Sequence, residues 1–259
     1  MDPAIMHDFI AGIELFQDPK WDRLPVPEPC KSGNVLLPFV LGLIAAAVLG
    51  GILWALAHAF YVYILYNTVI GAGIGMAMAR GLAGAGADVV INSRNREEMD
   101  EAMTHILDGT GRQGHCVVAD LFKREDTIRL AREALAAMGR IDIIVNNAGT
   151  NIINPVDKIV DQDWDKLIEL NLTAPMVLVR ELAAQMKERK WGRIVNVSSI
   201  FGMCTKNERG GYSATKSGLI GITRTMAQDL APWGITANAI APGPISTPLT
   251  DRMVQGELR

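Results

Sequence analysis

Gly71-Ala72-Gly73-Ile74-Gly75 stands between a strand-like run, Phe60 to Thr68, and a helical pattern from Met76 to Gly84. A second strand-like run, Ala87 to Asn92, follows directly. Glycines at a strand-to-helix turn let the backbone approach a pyrophosphate, which then rests on the helix N-terminus. On that reading Gly71, Gly73, Ile74 and Gly75 bind a dinucleotide. Strand, glycine turn, helix and strand in that order open a β-α-β unit, which calls for a parallel sheet.

The alternation continues downstream. Short apolar runs at Asp88–Asn92, His115–Ala119, Ile141–Asn146, Arg193–Val197 and Ile235–Ile240 predict strands. Helical patterns lie between them, near 74–86, 96–108, 124–138, 162–189 and 211–232. Asn95 ahead of Arg96-Glu97-Glu98 suits an N-cap followed by first-turn acids. Gly139 and Gly192 suit helix exits or turns before strands.

After the second strand comes Asn92-Ser93-Arg94-Asn95. An acidic residue there would bond a ribose 2′-hydroxyl and select NAD, whereas an arginine can pair with a 2′-phosphate. Arg94 is present and no acid is. Ser93, Arg94 and Asn95 are therefore assigned to the ribose end of NADP, with NAD as the alternative.

The chemistry points to Tyr212-Ser213-Ala214-Thr215-Lys216, with Ser199 thirteen positions upstream. Residues four apart share a helix face, so the phenol and the ammonium can converge. A phenol ordinarily titrates near pH 10, at about 10. A nearby cation favours the phenolate and would draw that value toward neutrality, where a tyrosine can exchange protons with a carbonyl or alcohol. The Ser199 hydroxyl could hold the substrate oxygen during the transfer.

Composition excludes other classes. The net charge of −3 and the absence of a long basic run give nucleic-acid binding no electrostatic support. Cys30, Cys116 and Cys204 are too scattered for a disulfide framework, and the four histidines show no metal-ligand spacing. Residues 1–34 read as a polar tail, with six acidic and three basic side chains. Residues 35–66 are apolar or aromatic apart from His58, longer than the roughly 20 residues that cross a bilayer, and are expected to be a transmembrane segment whose end may supply the first strand. Lys20, Arg23 and Lys31 ahead of the run would put the tail in the cytoplasm by the positive-inside bias. That conflicts with a cytoplasmic catalytic domain, which the cofactor implies. Residues 67–259 carry 22 charges of each sign, as a separate unit would.

Taken together, these residues resemble the short-chain dehydrogenase/reductase family, over roughly 67–251. Further motifs carry the likeness. Asn146-Asn147-Ala148-Gly149 follows the fourth strand, Asp120-Leu121 ends the third, and Asn171 lies in Leu170-Asn171-Leu172-Thr173. Ser199 closes Asn196-Val197-Ser198-Ser199, and Pro242, Gly243, Ile245 and Thr247 occupy the segment after the sixth strand. The stretch from Asn147 to Thr250 is similar to 3-oxoacyl-carrier-protein reductases and gluconate 5-dehydrogenase-like polyol dehydrogenases.

The resemblance implies a Rossmann-type doubly wound α/β fold, a parallel sheet flanked by helices, and hydride transfer between NADP(H) and a carbonyl or secondary alcohol. It assigns catalysis to Asn171, Ser199, Tyr212 and Lys216. Tyr212 would be the proton donor or acceptor, and Lys216 would also hold the nicotinamide ribose. Asn171 would anchor a water relay. Cofactor contacts would add Asp120, Leu121, Asn147, Ala148, Gly149, Pro242, Gly243, Ile245 and Thr247. It also implies a small-molecule substrate, a pocket lined by Phe201, Met203 and Cys204, and a homodimer built on helices 162–189 and 211–232.

The chain departs from the family at both ends. Val69 stands where the glycine turn usually begins, and valine tolerates a positive φ poorly. The sequence stops at Arg259, whereas members usually continue further past Thr247. The expectation is a Rossmann domain incomplete at both ends, preceded by a membrane segment. A catalytically inactive chimeric or truncated form is the alternative.

Overall fold

The computed structural model describes residues 62–67 and 73–245. Six parallel strands form one sheet: β1 (Val62–Asn67), β2 (Ala87–Ser93), β3 (Gly114–Val118), β4 (Ile143–Asn146), β5 (Gly192–Val197) and β6 (Ile235–Ile240). Their spatial order is β3-β2-β1-β4-β5-β6. This is the doubly wound arrangement, with the connections reversing direction between β1 and β4. Ligands of such sheets bind outside the carboxyl ends of the strands at that switch point.

β1 takes in the last residues of the apolar run. It pairs with β2 from Val62 opposite Ala87 to Asn67 opposite Asn92, and with β4 from Ile64 opposite Ile143 to Asn67 opposite Asn146. The end of the apolar run thus forms a central strand, with Ile64 to Tyr66 paired on both sides. Residues 35–61 lie outside the described residues, as do Thr68, Val69, Gly71 and Thr247. Among the described residues no helix is long and apolar enough to cross a membrane.

Helices cover both faces, so the strands read as continuous apolar runs. Successive strand residues point to opposite sides. Val89 and Ile91 pack with Val145 and Val197 against α1 (Ile74–Gly84) and α2 (Arg96–Leu107), through Ala79, Ala83, Met99, Met103 and Ile106. Val90, Ile144 and Ile194 face α3 (Arg124–Met138) and the helices that follow β4 and β5, meeting Leu130, Leu178, Leu182 and Leu230. Asn95 caps α2 as expected, its Oδ1 accepting from the amides of Glu97 and Glu98 at 2.9 and 3.3 Å. Gly139 ends α3 at φ 76°.

One expectation is revised and another narrowed. The helix expected at 162–189 is α4 (Asp161–Ile168), a π-helical turn at Glu169–Thr173, and α5 (Ala174–Arg189). Gly192 serves at the turn before a strand rather than as the helix exit itself. Lys190 takes the left-handed conformation that ends α5, at φ 54°, and Gly192 opens β5 against the Met186 side chain. The last long helix is α6 (Gly210–Leu230).

Candidate active site

The carboxyl ends of β4, β5 and β6 bring three loops together. Asn146 Nδ2 donates to Asn196 Oδ1 at 2.8 Å, and Asn196 Nδ2 donates to Thr223 Oγ1 at 2.8 Å. This buried chain ties β4 and β5 to α6. The amide of Ser198 donates to the Ile240 carbonyl at 2.7 Å and that of Ile200 to the Pro242 carbonyl at 2.9 Å. The segment after β6 is thus fastened to the turn that carries Ser199. Ser199 is extended and caps a short 3-10 turn, Ile200–Gly202, its Oγ accepting from the Phe201 amide at 3.2 Å.

Tyr212 lies in the first turn of α6 and Lys216 one turn later. Lys216 is buried, 3% exposed, with its Nζ donating to the Val197 carbonyl at 2.8 Å and lying 5.7 Å from the Tyr212 ring centroid. Burial disfavours the ammonium and draws the Lys216 pKa down to about 8. Burial also pushes the Tyr212 phenol above its ordinary value, while a hydrogen bond with Ser199 and the charge of Arg209 oppose that rise. The expectation that Lys216 draws the phenol down is therefore revised. The opposing groups are Ser199 and Arg209. The Phe201 ring meets the Tyr212 ring edge-on, with centroids 6.3 Å apart.

Asn171 sits inside the π-helical turn and is wholly buried. Its Oδ1 accepts from the Thr150 amide at 2.9 Å, and its Nδ2 donates to the Thr150 carbonyl at 2.9 Å and to Thr215 Oγ1 at 3.0 Å. A π turn inserts one residue into a helix and re-aims the side chains there, a device common at functional sites. Gly149 lies at the hub. A Cβ on it would come within 3.2 Å of both Asn171 Oδ1 and Lys216 Nζ. Asn171, Ser199, Tyr212 and Lys216 are thus brought around one centre by α6, the π turn and the loop after β4.

The residues expected to hold the cofactor occupy the neighbouring edge. Gly73 is the N-cap of α1 and makes no side-chain cap bond, so the helix N-terminus remains suited to an anion. Arg94 is exposed at the end of β2, its guanidinium 5.7 Å from the Phe122 ring centroid, and it makes no ion pair among the described residues. Ser93 Oγ accepts from the Asn95 amide, and Asn95 uses its own side chain as the α2 cap. Asp120 Oδ1 accepts from the Phe122 amide at 3.2 Å. Leu121 is fully buried in the core, which leaves only its backbone for a ligand. Ala148 is buried, whereas Pro242, Gly243 and Ile245 are half-buried beside the Ser199 turn. Met203 and Cys204 are exposed rather than enclosed, so of the three expected pocket residues only Phe201 packs on the tyrosine. Arg209, three positions ahead of Tyr212, escaped the sequence reading. A basic residue so close to the tyrosine was the available signal.

An uncapped glycine-led helix, an exposed arginine at the end of β2 with no ion pair among the described residues and a close-packed glycine beside the buried lysine fit a dinucleotide at this edge. Among the described residues there is no cluster able to hold a metal ion.

Fold and site together define a nicotinamide-dinucleotide oxidoreductase. The family described as short chain dehydrogenase matches residues 66–258, and the chain belongs to it. The 3-oxoacyl-[acyl-carrier-protein] reductase of Synechocystis sp. is 35% identical over 181 residues, 70% of this chain and 73% of that protein. The D-beta-hydroxybutyrate dehydrogenase of Rhizobium meliloti is 33% identical over 190 residues, 72% of this chain and 73% of that protein. Among solved structures, a metagenomic short-chain oxidoreductase in complex with NADP superposes with a TM-score of 0.66 at 33% identity, covering 71% of this chain and 83% of that one. An NAD+-bound xylitol dehydrogenase gives a TM-score of 0.69 at 30% identity, covering 76% of each chain.

Proposed function

We propose that this protein is an NADP-dependent carbonyl reductase or secondary-alcohol dehydrogenase whose proton-transfer residue is Tyr212. The observation that carries the reading is the linkage of Tyr212 with Ser199 and Lys216, and of Lys216 with Asn171 at Gly149. Ser199 holds the substrate oxygen beside the phenol. Tyr212 protonates the nascent alkoxide, or removes the alcohol proton in the reverse direction. Lys216 supplies a buried cation beside the phenol and a donor toward the nicotinamide ribose. Asn171 fixes the Thr150 loop and lines the proton path behind Lys216. The dinucleotide, when bound, supplies or accepts the hydride at the substrate carbon.

Arg94 favours NADP over NAD, because its guanidinium is exposed at the ribose end without an ion-pair partner among the described residues. Substrates of the 3-oxoacyl, polyol or related kinds fit the relatives' names. A homodimer through α4–α5 and α6, and membrane attachment through residues upstream of β1, remain part of the proposal. Light scattering and membrane fractionation test them.

The deciding experiment titrates the purified full chain with NADPH and NADH by fluorescence, then follows NADPH-dependent carbonyl reduction. Tight NADPH binding, turnover, and loss of turnover with retained binding in Tyr212→Phe are expected. Turnover unaffected by Tyr212→Phe would exclude this role, and absent NADPH binding would exclude the reductase reading.

A further inference from the structure

We propose that Arg209 is the anion-recognising residue of the substrate pocket, and that the substrate carries a carboxylate close to the reacting carbon. This inference rests on the reductase reading above and names its substrate class.

Arg209 is the residue from which α6 starts. Its Nε and Nη1 are buried and have no hydrogen-bond partner, and its guanidinium joins no ion pair among the described residues. Arg209 is half-buried, and buried guanidinium donors left without a partner are costly and are normally retained with one. Nearby acids do not supply one: Asp163 Oδ2 instead accepts from Asn154 Nδ2 at 3.2 Å, and Glu208 is exposed.

The surroundings place this cation at the reaction centre. Its charge acts on the Tyr212 phenol. Its backbone forms an isolated parallel bridge with Asn154, and the Asn154 amide donates to the Glu208 carbonyl at 3.2 Å. The loop after β4 therefore runs from Gly149 and Thr150, packed on Lys216 and Asn171, to Asn154 beside Arg209. Asn151 lies between these anchors, and its Oδ1 is also buried without a partner. Glu208 is held at φ 65°, a left-handed conformation that a residue with a side chain adopts at a cost. Strain immediately before the unpaired arginine fixes the direction in which α6 is entered.

A planar guanidinium suits a carboxylate, which it can bind through two parallel hydrogen bonds. A short 3-oxo acid, or the corresponding 3-hydroxy acid, brings such a group within a few bonds of the carbon that Tyr212 serves. A neutral ester of the same acid leaves the arginine unmet.

The test compares acetoacetate with ethyl acetoacetate as substrates of the NADPH-loaded full chain, in wild type, Arg209→Met and Arg209→Lys. Wild type should prefer the acid, Arg209→Met should lose about a hundredfold of that acid-over-ester selectivity, and Arg209→Lys should keep part of it. As a readout independent of turnover, malonate should raise the melting temperature of wild type above that in sodium chloride of equal ionic strength. It should not do so for Arg209→Met, whose unliganded melting curve reports whether it folds. No acid preference in wild type, equal losses on acid and ester, or malonate stabilisation that survives Arg209→Met overturns the proposal. Reduction of the ester without acid preference sinks the anion site and spares the reductase. An Arg209-dependent malonate shift without NADPH binding does the reverse.

Discussion

Lys216 Nζ and the Val197 carbonyl are joined at 2.8 Å, so the buried ammonium of α6 is held by the last residue of β5. Burial draws the Lys216 pKa from its ordinary 10.5 to about 8. The ammonium still predominates at pH 7, but burial makes it costlier in the folded protein than in the unfolded chain. Between about pH 8 and 10.5 the unfolded chain binds more protons than the folded one, so stability rises with pH across that window. Below it the penalty is fully present, at most roughly 3 kcal/mol. Lys216→Met should then abolish turnover yet stabilise the cofactor-free protein at pH 7 by about 1–3 kcal/mol, the gain shrinking toward pH 10.5. Urea denaturation at a series of pH values checks this, and a destabilised Lys216→Met at pH 7 would contradict it.

A methyl group on Gly149 would press on Asn171 Oδ1 and Lys216 Nζ, each 3.2 Å from where its Cβ would stand. Gly149→Ala should push the lysine off its position and lower kcat about tenfold to a hundredfold. Its melting temperature should move far less, since the neighbours at the contact are side-chain ends. An unchanged kcat would show that the centre accommodates the methyl.

Gly234 differs, because its φ is 68° and a Cβ added there would run into the Lys190 carbonyl oxygen. Gly234→Ala should destabilise the protein by about 2–4 kcal/mol, since backbone rather than a flexible side chain must move. Chemical denaturation measures it. A loss below 1 kcal/mol, roughly the cost of ordinary surface changes, would count against the argument.

Asp142, at the opposite edge of the sheet from the reaction centre, pairs with Arg140 and Arg189 at 3.0 Å each and is 4% exposed. Removing its charge strands two guanidinium groups. Asp142→Ala should cost about 3–5 kcal/mol while the NADPH dissociation constant of the folded fraction stays within about threefold. A large change in cofactor affinity at equal folded fraction would show that the two edges are coupled.

The strands and helices downstream of Gly73 were legible because their apolar periods, caps and glycine exits agree. Asn95 and Gly139 behave as the sequence implies. β1 was harder to delimit, because its residues continue an uncharged run and no polar boundary marks where it begins. The π turn at Asn171 carries no breaker residue, and only the paired hydrogen bonds to Thr150 reveal it. The identities at the site could be read from spacing, but their electrostatics could not. Burial of Lys216 and the unmet guanidinium of Arg209 depend on how three loops close over α6, which no local pattern records.

Val62 stands opposite Ala87, the first residue of β2, so the chain enters the sheet at its amino edge. The reaction centre gathers at the carboxyl edge, one strand length away, about 20 Å at the usual rise per residue. In a parallel sheet this polarity is fixed by the hydrogen-bond ladders on both sides of β1. A reporter or tether joined just ahead of Val62 would therefore attach behind the catalytic mouth.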